Sequence, residues 1–224
     1  MNILLIETAT SICSVALAQN DKIVASCESD TPNAHSTQLP LFIKELTTHT
    51  APDAVCVSAG PGSYTGLRIG VSTAKGLCYA LDIPLLSAPT LLSMAQWEYH
   101  THPDYNGYIC PMIDARRMEC YTMIVSPSGI DRDTQAEIIQ PGIYDAWLER
   151  REVMFIGDGA EKSRPILAPH PNARFDADFR ISAAGLLPIA RQKLAQGHIE
   201  DIAYFEPFYL KDFVAKKSVV HGLR

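Results

Sequence analysis

No segment of this sequence approaches the roughly 20 consecutive apolar residues that cross a bilayer. The opening, MNILLIETAT, has only Ile3 to Ile6 as an apolar block before Glu7, and no basic residues lead into it, so it does not read as a secretory signal. A cytoplasmic protein is expected. The six cysteines, Cys13, Cys27, Cys56, Cys78, Cys110 and Cys120, form no CxxC pair, and most lie in apolar runs such as Val55-Cys56-Val57. That pattern argues against a disulfide framework or a metal cluster and for buried, reduced thiols. Basic residues are also short, at 19 against 25 acidic ones, a net charge of −6. A broad nucleic-acid surface is thereby excluded, but a local basic patch is not. There is no sequence repeat and no low-complexity tract. What remains is an ordinary globular composition, long enough for one large domain or two small ones with a sizeable core.

Hydrophobic periodicity predicts three strands at the start: Ile3 to Glu7, Ile12 to Ala18 and Ile23 to Cys27. Connectors short enough for hairpin turns join them. A helix is expected from His35 or Ser36 to about Thr48, with Ser36 or Thr37 as its cap and Pro40 confined to its first turn. A strand at Ala54 to Val57, a helix from Gly66 to Leu81, a strand in DIPLLSAPT and a helix at Leu91 to Tyr99 follow. Three strands and then alternating units predict an α/β sheet covered on both faces. The polar stretch from His100 to Asn106 marks a boundary. Beyond it, Tyr108 to Ile113 and Glu119 to Val125 read as strands around a turn at Asp114 to Arg117. Val153 to Ile156 reads as another strand, ending in the glycine turn GDGAEK. Ala183 to Ala195 reads as a helix, kinked by Pro188 or holding it in an early turn. The tail from Glu206 is expected to be extended or partly disordered.

The segment SAGPGSYTGLRIG, from Ser58 to Gly70, sits between a predicted strand and a predicted helix. Such a seam gathers backbone N–H groups at a helix N-terminus, where anions bind. Gly60, Gly62 and Gly66 permit close approach, and Ser63, Tyr64 and Thr65 offer hydroxyls around Pro61. Two readings stand: a phosphate or nucleotide contact, or a tight turn whose glycines serve geometry alone. The segment is neither a Walker loop, because no Lys-Ser/Thr pair follows, nor a GxGxxG dinucleotide fingerprint. It is not the GxSxG of a serine hydrolase either. In the first hairpin, Glu7 with Thr8, Thr10 and Ser11 resembles the carboxylate and hydroxyl turn that face a nucleotide's metal in actin-like ATPases. An ordinary polar turn fits the same residues.

From Gly66 to Leu81 the only charges are Arg68 and Lys75, seven apart on one stripe. Gly66, Gly70 and Ala74 form a ridge of small residues. A helix apolar nearly all round must be covered nearly all round, by its own chain or by another.

The run SAGPGSYTGLRIGVSTAKGLCYALDIPLLSAPTL closely resembles the signature of the TsaB (YeaZ) family. ILLIETATSICSVAL, HSTQLPLFI, PMIDARRMECY, FIGDGAEK and PFYLKDFVAKK are similar to that family too, so the resemblance spans nearly the whole chain. It implies an actin-like ATPase (ASKHA, RNase H-like) fold of two lobes, the second reduced, with lobes at 1–103 and 104–200 and a tail, 201–224, packing back on the first. It implies a non-catalytic subunit of the machinery that makes N6-threonylcarbamoyladenosine on tRNA. Its partners would be the catalytic paralogue TsaD and the ATPase TsaE, with tRNA reached indirectly and no membrane involved. The interface would draw on His35, Gln38, Leu39, Phe42, Leu67, Arg68, Gly70, Val71, Ala74, Lys75 and Cys78, and a homodimer through the same helices is the competing occupant. Nucleotide contacts would fall among Glu7, Thr8, the Gly60–Gly66 loop, Asp114, Gly157 and Gly159. The family implies no cofactor of the chain's own, with ATP or ADP and Mg at the complex interface. The catalytic paralogue carries a His-x-x-x-His metal pair, which this sequence lacks: Leu39 stands four residues after His35, and Asp53 four after His49. Asp114 and Arg116 suit either the lobe cleft or a plain salt bridge. An independent ATPase or small-molecule kinase of the same fold is the alternative function. A direct RNA contact by the basic residues Lys211, Lys216, Lys217 and Arg224 is a lesser one.

Overall fold

Alternating side chains build the first strand. In β1 (Asn2–Glu7), Ile3 and Leu5 face one way and Leu4 and Ile6 the other, and all four are buried. Antiparallel to it runs β2 (Cys13–Gln19), followed by β3 (Lys22–Ser29), an edge strand largely open to solvent. The chain then forms α1 (Ala34–Thr37) and α2 (Leu39–Thr47), β4 (Ala54–Gly60) parallel to β1, α3 (Tyr64–Leu81), β5 (Leu85–Pro89) and α4 (Thr90–Thr101). The structure, a computed structural model, describes residues 1–211. Lys216, Lys217 and Arg224, read above as cations for RNA, lie outside the described residues.

The second half repeats this course. It runs β6 (Tyr108–Asp114), β7 (Glu119–Ser126), β8 (Gly129–Ile138), α5 (Asp145–Leu148), β9 (Val153–Ile156), α6 (Asp158–Leu167) and β10 (Ala173–Phe175). A 3₁₀ turn, Ala183–Leu186, leads into α7 (Leu187–Ala195). The sheet orders are β3-β2-β1-β4-β5 and β8-β7-β6-β9-β10, the same arrangement twice. The recurrence is one of topology, carried by two stretches of unlike sequence. The second lobe is reduced in its helices, not its strands: α5 is a single turn where the first lobe has α1 and α2.

Each lobe lends its last helix to the other. Helix α4 leaves the first sheet and packs Leu91, Met94 and Ala95 against Ile109, Ile113, Met123 and Val125 of the second. Helix α7 returns from the second sheet. With the preceding turn it lays Leu186, Leu187, Ile189 and Ala190 on Ile3, Leu5, Ala16, Cys56 and Leu86 of the first. The other face of the first sheet, with Leu4, Ile6, Val15, Val55 and Val57, is covered by α2 and α3. The tail comes back as well. Lys75 Nζ donates to the carbonyls of Ala203 (3.3 Å) and Phe205 (2.9 Å), and Phe208 N–H donates to Ala59 O at 2.7 Å.

The structure departs from expectation at the prolines and in the middle of the second lobe. The predicted first helix is split at Gln38. Pro40 has no N–H for the Ser36 carbonyl, so the run breaks and restarts with Pro40 in the first turn of α2. Ser36 and Thr37 are not caps: their hydroxyls donate back to Asn33 O at 3.0 and 3.1 Å. Pro188 likewise cannot donate to Ala184 O. Leu187 N–H bonds there instead, and the expected helix begins as 3₁₀. GDGAEK is not a simple turn but the start of α6. All six cysteines are free, five buried and Cys27 half-buried. Among the described residues no helix is long and apolar enough to cross a membrane.

Leu186 is fully buried against a sheet whose strands lie far upstream in the chain. Leu186→Ala is expected to cost about 2–5 kcal/mol. Because the helices are exchanged, both lobes should unfold in one transition. Urea curves followed by circular dichroism and by fluorescence of Trp97 and Trp147, one in each lobe, should coincide at a lowered midpoint.

Candidate functional site: the cleft between the lobes

Five segments converge between the sheets. They are the hairpin turn Ala9 to Ser11, the β3–α1 connection from Asp30 to Asn33 with His35, the glycine loop Gly62 to Thr65, the β6–β7 turn from Ile113 to Arg116, and Asp158 at the start of α6. With Tyr209 to Lys211 along the rim they line a cavity of about 800 Å³. A smaller one of about 310 Å³ adjoins it, sharing Thr10, Ser11 and Asp158 and adding Gly157, Arg164 and Phe175.

The glycine loop enters this cleft but spends its glycines on its own chain. A Cβ on Gly62 would overlap the Ala9 carbonyl, and one on Gly66 or Gly70 would overlap Thr8. Absence of side chains on this ridge lets α3 lie against the first hairpin turn. The amides follow: Ser63 N–H donates to Ala9 O at 2.6 Å, and Gly66 N–H to Ser63 Oγ at 3.3 Å, which makes Ser63 the N-cap of α3. Two donors that an anion would need are therefore taken. Gly60, at φ 108°, and buried Pro61 stand where the Phe208 carbonyl passes. Tyr64 packs on Tyr209 in a tilted pair with ring centroids 4.8 Å apart, and Thr65 is exposed.

Glu7 and Thr8 lie beneath the cleft rather than in it; both are fully buried. Glu7 Oε1 accepts from Ala9 N–H at 2.6 Å and Thr8 N–H donates to Ser58 Oγ at 3.3 Å, while Glu7 Oε2 and Thr8 Oγ1 have no hydrogen-bond partner among the described residues. Burial pushes the Glu7 carboxyl up to about 7, against the hydrogen bonds from Ala9, Ser58 and Thr8 that favour its charged form. An enclosed, half-neutral carboxyl does not present itself to a metal. Among the described residues no three His, Cys, Asp or Glu groups gather to hold one. As arranged, these residues do not fit a Mg-nucleotide held by this chain alone.

Across the cleft, Asp114 makes the salt bridge and also borders the cavity. Its half-exposed carboxylate lines the cavity and pairs with Lys162, which also donates to Arg117 O (2.9 Å) and Glu119 O (2.6 Å). Hydrogen bonds from Lys162 and the Arg116 N–H outweigh desolvation and hold Asp114 below its ordinary value. Arg116 and Arg117 take φ of 73° and 52°, a left-handed backbone that costs a non-glycine residue roughly 1–2 kcal/mol. Gly157 and Gly159 are packing glycines: Cβ atoms there would press on Met112, Met94 and Cys120 and lift α6 off β6.

The residues expected at a partner surface divide sharply. Leu39, Leu67, Gly70, Val71, Ala74 and Cys78 are enclosed by the chain's own sheet and hairpin turn, so they offer nothing to a partner. The reason is the small-residue ridge, which faces Thr8 and not outward. His35, Gln38, Phe42 and Lys75 are half-buried, and Arg68 is exposed. Burial lowers the pKa of His35. The open face of α3 carries Thr65, Arg68, Ser72, Gly76 and Tyr79, the last 81% exposed. Ser72, Gly76 and Tyr79 escaped the sequence reading. Their signal was the succession of steps of four, four and three residues that starts at Arg68, a charge that faces water. On the tail, Tyr204 is 84% exposed, next to the carbonyls that Lys75 holds.

The family model for TsaD, tRNA N6-adenosine threonylcarbamoyltransferase, matches residues 29–219. The tRNA threonylcarbamoyladenosine biosynthesis protein TsaB of Escherichia coli (strain K12) is 32% identical over 98% of this chain and 98% of its own. This chain belongs to the TsaB family. YeaZ from Pseudomonas aeruginosa superposes with a TM-score of 0.78 at 25% identity, over 93% of this chain and 99% of that one. A ROK family protein from Streptococcus pneumoniae TIGR4 superposes at 0.53 and 10% identity, over 88% and 100% of the two chains. The TsaB-family fold seen here is thus the actin-like α/β fold.

Glu7 yields a pH prediction. Its folded pKa, about 7, lies above the ordinary 4.5, so the folded state binds the proton more tightly. The stability this brings is complete below about 4.5 and is lost as pH climbs through 7, by up to roughly 3 kcal/mol. Glu7→Gln keeps an acceptor for Ala9 N–H and cannot ionise. Its urea midpoint between pH 5 and 8 should be flatter than that of the parent chain, and higher at pH 8.

Proposed function

We propose that this chain acts in tRNA N6-threonylcarbamoyladenosine synthesis as a subunit that binds and activates the catalytic paralogue TsaD and does not itself transfer the threonylcarbamoyl group. The observation that supports this reading is a division of α3. Its small-residue ridge locks the first hairpin turn and the glycine loop into a structural role, while the opposite face, Arg68, Ser72, Gly76 and Tyr79, stays open. A Cβ on Gly76 would meet no atom of the described residues within 4 Å. A bare glycine in a helix interior, destabilising by roughly 0.5–1 kcal/mol relative to alanine, suits close approach of another backbone. Arg and Tyr are residue types that anchor interfaces. Docking there would stabilise the active conformation of TsaD by population shift. TsaE is the further partner in this reading, and ATP or ADP with Mg would be held at the junction by residues of the partner.

The cavity of about 800 Å³ favours a second reading, an independent ATPase or small-molecule kinase. ATP turnover by the purified chain decides it: a robust rate stimulated by an acceptor substrate supports the enzyme.

Gly76→Arg and Tyr79→Glu are expected to weaken co-purification with TsaD at least tenfold while leaving the unfolding midpoint unchanged or, for Gly76→Arg, slightly raised. Gly70→Glu and Val71→Arg should instead fail to fold, because each places a charge in the packed core. Full TsaD binding by the two surface variants would sink the assignment. Size exclusion with and without TsaD separates a heterodimer from a homodimer on the same face.

A further inference from the structure

We propose that the β6–β7 turn is a contact for the phosphate backbone of RNA, made by Arg116 and Arg117 at the mouth of the cleft. The proposal rests on the tRNA-modification reading and gives this chain a direct hold on the RNA.

Both arginines sit in left-handed backbone, at φ 73° and 52°, positions that glycine or asparagine would fill without strain. The turn is nonetheless held firmly. Arg116 N–H donates to Asp114 Oδ1 at 2.7 Å, Asp114 N–H to Asp158 Oδ1 at 2.9 Å, and Ala115 N–H to Glu119 O at 3.0 Å. Lys162 ties the Arg117 and Glu119 carbonyls from below. The neighbouring acids are occupied: Asp114 pairs with Lys162 and Glu119 with Lys211. Arg116 and Arg117, both exposed, have no ion-pair partner among the described residues. The scaffold thus pairs its carboxylates with its own ammonium groups and presents two guanidiniums that form no ion pair among the described residues.

What lies beside them favours RNA over an acidic protein. Arg116 opens onto the cavity with Tyr121, Tyr64 and Tyr209, and the last two rings already touch in a tilted pair, 38° between their planes. Aromatic faces take unstacked bases, for which an acidic peptide has no use. With a net charge of −6 the rest of the surface repels RNA, so the hold is local and small.

The test is fluorescence anisotropy of an unmodified tRNA transcript, titrated with the full chain alone and with its TsaD complex at several salt concentrations. The variant is Arg116→Asn with Arg117→Asn, since asparagine accepts the left-handed backbone while removing the charge. Its affinity should fall about tenfold near 0.1 M salt, and the log–log salt slope should drop by about 2, the loss of two phosphate contacts. Arg116→Lys with Arg117→Lys should restore the slope. An unchanged slope in the asparagine variant overturns the proposal, as does salt-insensitive or absent binding by both chain and complex. If the variant loses TsaD but binds the transcript as before, the arginines serve a protein surface and the proposal fails. Should TsaD not bind the parent chain, the function reading fails, while the slope measured on the chain alone still judges this one.

Discussion

The exchange of last helices between the two sheets is the constraint on which the molecule depends. Neither sheet has both faces covered by the half of the chain that makes it. Helix α7 must cross back to seal Ile3, Leu5 and Cys56, and α4 must cross forward to seal Ile109, Ile113 and Val125. The cleft is the gap left where these crossings meet. Its walls are strand ends and turns, set by two buried apolar layers, with the exposed Arg180–Asp30 pair reaching from one half to the other. Rigid-body rocking of the lobes would shear both layers together, so cleft shape and fold stability are linked.

Within that frame the first hairpin turn and α3 have been drawn together until little room is left between them. Gly62, Gly66 and Gly70 let Thr8 and Ala9 press on the helix, and the Ser63 and Gly66 amides turn inward. In an actin-like fold this corner is where a metal and phosphates would be expected. Here it buries a carboxyl near neutrality and two orphan oxygens, Glu7 Oε2 and Thr8 Oγ1. The corner keeps its loop, and close packing gives the glycines a structural use.

Much of this was legible in the sequence and some was not, for reasons that differ by element. Strands β1, β2, β4 and β9 were readable because each is a short apolar run closed by polar residues. The order of three strands, helix, strand, helix, strand pointed to the α/β sheet. β8 was missed because it is an edge strand with charged residues facing solvent, so its alternation, Ile130 to Ile138, is weak. α6 was read as a turn because its opening glycines are packing glycines, a role visible only once β6 is beneath them. The cleft residues were named but not their division of labour. Spacing along α3 shows that Gly66, Gly70 and Ala74 share a ridge, but the direction of that ridge depends on where Thr8 sits. Arg116 and Arg117 gave no sign of their backbone, since nothing in an Arg-Arg pair signals a left-handed turn.

Lys75 recognises the tail through the carbonyls of Ala203 and Phe205, groups every residue type supplies. Such a grip is blind to side chains. The lysine is pinned by its task and Phe205 by its packing on the core, while Tyr204, between the two residues held, can change without loosening the clasp. The tail can therefore vary its lettering at that position and keep its path.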